Sequence, residues 1–491
     1  MTEFLHGTET IEKLVGPTIV QEVRTGIIAL VGTAPVHHGG ASVPWGRPVI
    51  VRTDADCEKF GPAASDANSH ASMQGYTIPQ ALKDMRGEGA GTIVVVNLFD
   101  PEEHYNTVAG ANRAITNGVA TLPNGDIISA TVKVAGGTGD PLVEGTDYTI
   151  DRVTGKLTTV AGGALDGDAN MHVGYTHGAP EDVTDEEIIG GVSSGVRNGA
   201  QALLDCGSLF GFKPKLLTAP GYITGGGDVL NALNVLAQPN KLRAYVLCDA
   251  SVGNNVEQAI LDRGPGLDID DLRLSDSRVL YLFPHLASGD PDDPTLHAYS
   301  PLLAGIIART DRTKGYWKSP SNEPFLTKTM LEVPITASVN DAECEANQLN
   351  AAGIMTVFSG YGTGLKTWGN RNASFPGKTD IMTFTACRRC IDMIDESLEL
   401  FALKYMDDIT GMVLVQAILD DVNEFIRDLI KRGALMPGSN VKFHLEKNPA
   451  QNIANGQFVF TRTVCPPPPL ERLTQESIVD TRLITQAFKA A

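Results

Sequence analysis

The clearest hydrophobic pattern lies near the C-terminus. Over 410–432, Val415, Leu419, Val422, Phe425 with Ile426, and Leu429 recur at helical spacing. Lys431 and Arg432 fall in the last turn and Gly433 follows as a stop signal. The period then changes to two. Val441, Phe443 and Leu445 alternate with Lys442, His444 and Glu446; Phe458, Phe460 and Val464 alternate with Val459, Thr461 and Thr463. This predicts two strands. Pro466, Pro467, Pro468 and Pro469 come next, then a tail over 470–488. A proline run is stiff and extended, so it carries the tail away from the ribbon. A two-stranded ribbon is marginal alone and has open edges. Something must pair with it, and neighbouring copies of the chain are the inferred source.

The remaining pattern reads in order. Residues 1–25 are mixed and polar, broken at Gly16-Pro17, and read as an arm. Apolar runs at 27–31 and 92–97 predict buried strands, with a further strand at 48–51 and helices at 54–60 and 78–86. From 101 to about 178, Gly, Asp, Thr and Val dominate, and turn signals such as Asn124-Gly125 and Asp166-Gly167 come often. Strands are expected at 129–134, 146–151, 156–159 and 171–175, with Thr154-Gly155 as a hairpin turn. This all-β stretch interrupts α/β sequence, so it reads as an insertion between chain points that lie close together.

From 182 the α/β pattern resumes. Thr184 with Glu187 resembles a capping box. Strands at 216–218, 243–248 and 279–283 alternate with helices at 228–237, 256–263 and 301–310, as a parallel sheet requires. A helix at 341–349 and a strand at 354–358 lead into the last domain. There a long helix, 385–405, places Ile391, Ile394, Leu398, Phe401 and Tyr405 on one face. The expected class is α/β and α+β multidomain. It comprises an arm (1–25), an α/β domain (26–100 plus 182–335), an inserted β domain (101–181), a C-terminal α/β domain (336–465) and a second arm (466–491).

Composition narrows the function. The 491 residues suffice for about two to four domains. With 42% hydrophobic and 20% charged residues the chain is globular. A formal net charge of −19 argues against a general nucleic-acid-binding role. Seven scattered cysteines suggest reduced thiols in a cytosol. No segment reads as a signal peptide or a membrane span.

Candidate chemistry is thin. Gly191-Val192-Ser193-Ser194-Gly195 matches a nucleophile elbow, but no buried strand precedes it, and 51 glycines make a chance match expected. Gly225-Gly226-Gly227-Asp228 lacks the residues of a phosphate loop or dinucleotide fingerprint. Cys387 and Cys390 have metal-like spacing without a second pair, so they read as partly buried thiols. His37-His38 reads as a solvated loop without a nearby ligand cluster. Asp268-Ile269-Asp270-Asp271 and Asp290-Pro291-Asp292-Asp293 read as solvated loop acids, lacking calcium-loop spacing. No nucleophile, base and oxyanion hole assemble. No enzyme, cofactor or metal site is expected.

One stretch is more specific: Arg309-Thr310-Asp311-Arg312, then Gly315-Tyr316-Trp317-Lys318-Ser319-Pro320-Ser321-Asn322. Physically it is a large aromatic anchor followed by a turn rich in side-chain hydrogen-bonding groups, a rigid joint between domains. The run resembles a motif of contractile phage tail sheath proteins, whose relatives include R-type bacteriocin and type VI secretion sheaths. Pro301-Leu302-Leu303-Ala304-Gly305, Gly32-Thr33-Ala34-Pro35, Trp368-Gly369-Asn370-Arg371, Ile394-Asp395-Glu396-Ser397 and Pro469-Leu470-Glu471-Arg472 are similar too, in the right order. So is the β stretch, at Gly145-Thr146-Asp147-Tyr148 with Asp151.

The resemblance implies a tail-sheath fold with an inserted β domain and extended arms. It implies a structural subunit of the virion, assembled in the host cytoplasm. Six-membered rings stack helically around a tail tube and contract to drive it through the host envelope. Expected partners are further copies of the chain, the tube protein, and baseplate and tail terminator proteins, with no nucleic acid and no membrane insertion. Strands donated between subunits would come from 8–15, with Thr8, Thr10 and Ile11, and from 473–484, with Ile478 and Leu483. The acceptors would be Val441, Phe443, Leu445, Phe458 and Phe460. Gly315, Trp317, Ser319, Pro320 and Asn322 would form the domain joint. An α/β hydrolase-like enzyme, and a surface receptor-binding protein using the β stretch, are the alternatives.

Overall fold

The computed structural model describes residues 20–489 except 41, 67–69, 225–226, 265–275, 361, 363 and 410. The readings at Thr8, Thr10 and Ile11, at Gly225 and Gly226, and at Asp268, Asp270 and Asp271 lie outside the described residues.

Eight strands form the central sheet. Their order across it is Leu365–Trp368, Ile354–Ser359, Val279–Leu282, Tyr245–Asp249, Leu216–Thr218, Ile28–Gly32, Ile93–Asn97 and Pro48–Val51. The six inner strands run parallel; both edge strands are antiparallel. Parallel strands are covered on both faces, which is why their sequences are continuously apolar. Alternation decides the face. Ala29, Val31, Val94 and Val96 join one core with the helix Asp228–Ala237. Ile28, Leu30, Ile93 and Val95 join the other, with the helices Ile78–Gly87 and Tyr299–Lys314. The expected domain cut at 335/336 falls before two strands of this same sheet, so Ile354–Ser359 and Leu365–Trp368 extend it and do not open a new layer.

Residues 105–178 hold two three-stranded sheets with their own apolar core around Ile127, Val132, Leu157, Val173 and Tyr175. Tyr105 pairs with Gly178, so the chain leaves and returns at one place. The strand Tyr105–Ala114 went unforeseen because it is mostly exposed and lacks apolar alternation. Asp290 to Asp293 is the turn of a hairpin between Leu286–Asp290 and Asp293–His297. The capping box of Thr184 and Glu187 is present.

The C-terminal layer packs the helix Thr385–Ala402 against Met412–Lys431 through Ile394, Phe401, Val422, Phe425, Ile426 and Leu429. The ribbon is shorter than expected: Asn440–Phe443 pairs antiparallel with Phe460–Thr463. Leu445 lies in the 3-10 turn Leu445–Lys447 and is exposed, and Phe458 precedes its strand. The Asn448 amide explains the stop. It donates to the carbonyls of His444 and Val459 and accepts from Val459 N–H, taking the place of the next ladder bonds. The tail over 470–480 has no strand. Ile478 is exposed, and Leu483 lies in the helix Arg482–Lys489, started by Asp480 accepting from Arg482 N–H.

Candidate functional site: the open ribbon and its joint

The two edges of the ribbon differ. Asn423, on the helix Met412–Lys431, turns its side-chain amide to Val441. It accepts from Val441 N–H at 2.9 Å and donates to Val441 C=O at 3.1 Å. A neighbouring strand would make these same two bonds, so this edge is closed at Val441. Because outward and inward residues alternate, Val441 and its partner Arg462 both face away from the ladder. The outward main-chain groups of Phe460, Arg462 and Val464 have no protein partner among the described residues. Near them lies a groove of about 700 Å³ that reaches both strands, lined by Leu398, Ile418, Val422, Val441, Phe460, Arg462, Thr463 and Val464. It offers unpaired peptide groups over an apolar floor, which is what an incoming strand needs.

Helix Thr385–Ala402 has two functional faces. Its apolar face meets the neighbouring helix and ribbon. Its other face carries ion pairs to the central sheet and its helices. Arg389 grips Asp311 at 2.6 and 3.0 Å, both side chains buried. Asp392 holds Arg278 at 2.6 and 2.7 Å. Glu396 pairs with Lys215, whose pKa burial pushes down, and Asp395 lies 3.2 Å from Arg243. Beyond the helix, the hairpin tip exposes Leu403, Met406, Ile409, Met412 and Val413.

The tryptophan stretch ties these parts together. Gly315 ends the helix Tyr299–Lys314 at φ 100°, and a Cβ there would sit 2.5–2.7 Å from the Trp317 ring. Only glycine fits both demands. Trp317 packs edge-on against Tyr316 and under Arg432 beside the C-terminal core. Ser319 donates to Asn370, and the Pro320 carbonyl accepts from Thr367 Oγ1 at 2.5 Å. Asn322, at φ 63°, donates its N–H to Thr367 C=O, and Phe325 N–H donates to Leu365 C=O. The segment after the tryptophan thus covers the edge strand Leu365–Trp368.

The elbow-like stretch is an exposed hairpin turn, with Ser194 and Gly195 at positive φ. Cys387 and Cys390 are buried free thiols, pushed by burial to about 11 and about 12, donating to the carbonyls of Pro467 and Ala434. A Ser–His–Asp geometry invisible in the sequence does occur. Ser288 Oγ is 2.7 Å from His297 Nε2, and His297 Nδ1 is 2.7 Å from Asp84. Lys328 Nζ, however, lies 3.2 Å from the same Nε2 and 2.9 Å from Asp84. An ammonium therefore competes for the lone pair that would take a serine proton.

His37 and His38 are not a solvated loop: both bond Asp126. No spacing rule links residues so far apart in sequence. Asn423 was likewise missed, although a polar amide among the apolar positions Val422, Phe425 and Ile426 is a signal for a buried main-chain partner.

No protein-family model matches the chain. The tail sheath protein of Burkholderia phage BcepMu is 36% identical over 482 residues, 96% of each chain. A putative prophage major tail sheath protein of Pseudomonas aeruginosa strain UCBPP-PA14 is 29% identical over 305 residues, 62% of this chain and 75% of that one. Among solved structures, the anti-feeding prophage helical sheath in its contracted state superposes with TM-score 0.58 at 14% identity, covering 97% of this chain and 100% of that one. The sheath complex of the extracellular contractile injection system PVC, also contracted, gives TM-score 0.58 at 12% identity, covering 98% and 100%. The last two are likenesses of fold.

Proposed function

The chain belongs to the tail sheath protein family, and from that premise we propose that it is the structural subunit of a contractile bacteriophage tail sheath. Subunits form six-membered rings stacked helically around the tail tube, and contraction drives the tube through the host envelope for genome ejection. The observation that carries this reading is the ribbon edge at Phe460, Arg462 and Val464, unpaired above an apolar groove. Segments from neighbouring copies complete it: the N-terminal arm with Thr8, Thr10 and Ile11, and the tail with Ile478 and Leu483. The tail's present helix would have to give way to an extended form where it pairs. The acceptor is the second strand's edge at Phe460, Arg462 and Val464, with Val441 and Phe443 on the first strand supporting it from the other side.

The ion-paired seam and the Trp317 joint hold each subunit as one body, so the lattice changes by rigid-body rotation while donated strands keep it joined. The energy is the difference between two packings, and no nucleotide is consumed. The exposed tip at Leu403, Met406, Ile409 and Val413 faces the tube, and residues 105–178 face outward. Baseplate and terminator proteins bound the sheath at its ends. The subunit assembles in the host cytoplasm and resides in the virion.

Electron microscopy of the purified chain tests this: hollow tubes or rings are expected. A chain lacking residues 1–19, or one ending at Cys465, should keep its melting temperature within a few degrees yet form no connected tube. Val20 and Val23 pack on the C-terminal core and are retained in both. Ordinary tubes from both truncations would refute the exchange of strands.

A further inference from the structure

A second cluster of chemistry sits where residues 105–178 join the body. His37 and His38 end the strand-to-helix loop after Ile28–Gly32, in the 3-10 turn Val36–His38. Successive side chains of such a turn point about 120° apart. Here they converge instead. The two rings lie 4.1 Å apart, and both Nε2 atoms reach one oxygen, Asp126 Oδ1, at 2.7 and 2.8 Å. The other oxygen accepts from Tyr76 OH at 2.5 Å. Asp126 is wholly buried and held at φ 60° just before the strand Ile127–Val134. Gly178 makes room: a Cβ there would lie 2.1 Å from Asp126 Oδ2 and 2.2 Å from Tyr76 Oη.

Charge makes the arrangement unusual. The Asp126 carboxyl is buried and takes its bonds from His37, His38 and Tyr76. Among the described residues no lysine or arginine pairs with it; its partners are two imidazoles and a phenol. Two ring nitrogens and a buried carboxylate oxygen thus meet at one point, where a cation would find three donor atoms.

We propose that His37, His38 and Asp126 bind one divalent transition-metal ion of the zinc class, with Tyr76 orienting the carboxylate. Two imidazole nitrogens and one carboxylate oxygen suit zinc, cobalt or nickel and disfavour magnesium and calcium, which take oxygen ligands. Metal–ligand bonds of about 2.0–2.2 Å in a tetrahedral site put donor atoms about 3.3 Å apart. The two nitrogen–oxygen separations of 2.7 and 2.8 Å therefore open by about half an ångström as each imidazole moves its proton from Nε2 to Nδ1. Among the described residues His37 Nδ1 is buried without a partner, so its ring lacks the outer hydrogen bond that usually supports a metal-bound histidine. The ion ties the loop of the body to the start of the β segment and acts as a structural clamp. The nearby group Glu103, His104 and Glu187 is a weaker candidate, because Glu187 already caps its helix through Thr184 and Glu103 is exposed.

The test uses the full chain, stripped with chelator and dialysed. Zinc is titrated by calorimetry, and cobalt by its visible d–d absorption. One equivalent is expected, with the absorption of low-coordinate cobalt and a rise in melting temperature on adding zinc. Tyr76→Phe should weaken binding about 10–100-fold, the usual cost of losing an orienting group. Asp126→Asn and His38→Gln should abolish the cobalt spectrum. Absence of heat and spectrum in the unaltered chain, or binding unchanged in both variants, overturns the proposal. If Asp126→Asn does not fold by circular dichroism, His38→Gln decides. The readout needs no assembled tube, so it stands apart from the reading of the chain as a sheath subunit.

Discussion

In the central sheet every inner strand has a backbone partner on each side and apolar side chains on both faces. Among the described residues each strand of the C-terminal ribbon has one strand partner. The edges are treated differently as well. The sheet's edge at Leu365–Trp368 is covered from within, by main-chain bonds from Asn322 and Phe325 and by the side chain of Thr367. The ribbon's first strand is closed at a single residue by the Asn423 amide, and its second strand faces a groove. An exposed edge strand is a liability that folded proteins usually blunt. Among the described residues the chain covers one edge with the loop 315–325 and leaves another open beside a groove, and an edge left open is one that can pair with another chain.

The largest expected effect comes from cutting the tie between these two regions. Asp311 and Arg389 are both buried and joined by two hydrogen bonds. Arg389→Met leaves Asp311 charged and unpaired, at a cost of about 3–5 kcal/mol. If the ion-paired seam makes the regions one body, denaturant melts of the variant should split into two transitions, the ribbon and its helices melting first. A single transition shifted as a whole would mean that apolar contacts alone couple them.

How far the sequence foretold this contrast depends on range. Continuous apolar runs placed the strands at 27–31 and 92–97, because burial on two sides is a local demand. They did not place Ile354–Ser359 and Leu365–Trp368 in the sheet, since a parallel partner such as Val279–Leu282 lies far away in sequence and leaves no periodic trace. The ribbon was read correctly in kind and too long in extent. Leu445 and Phe458 fit the period of two, but the Asn448 amide takes the bonds that would have continued the ladder. Leu483 followed local helix propensity and capping by Asp480 within the single chain. The cluster of His37, His38 and Asp126 was illegible for the same reason as the sheet's far strands: its members meet only in three dimensions.

A smaller effect is expected at the closed edge. Asn423→Leu keeps the side chain's branching and heavy-atom count and removes both bonds to Val441, a buried residue. Leaving its N–H and C=O unpaired costs about 1–3 kcal/mol. The loss should be partly recovered on assembly if a neighbour's strand then adds at this edge, which the wild-type amide blocks. Melting temperatures of the dispersed and polymerised variant measure that difference; equal losses in both states would mean that the edge at Val441 never receives a strand.

The smallest effect on the fold should accompany the largest on assembly. Arg462→Pro removes an N–H that faces away from the ladder, so proline is tolerated there as on other strand edges. The pair of Arg462 with Asp395 is partly exposed, and its loss costs about 1 kcal/mol or less. The subunit should therefore melt within a few degrees of the unaltered chain, with the same far-ultraviolet spectrum. A donated strand, by contrast, loses the central one of three donors at Phe460, Arg462 and Val464, and the proline ring stands in its path. Short rings or free subunits should replace long tubes in electron micrographs. Arg462→Lys, which keeps the N–H, is the matched comparison and should polymerise normally. Intact tubes from the proline variant would move the acceptor edge elsewhere, whereas failure of both variants would trace the defect to the guanidinium and leave the open main chain without a role.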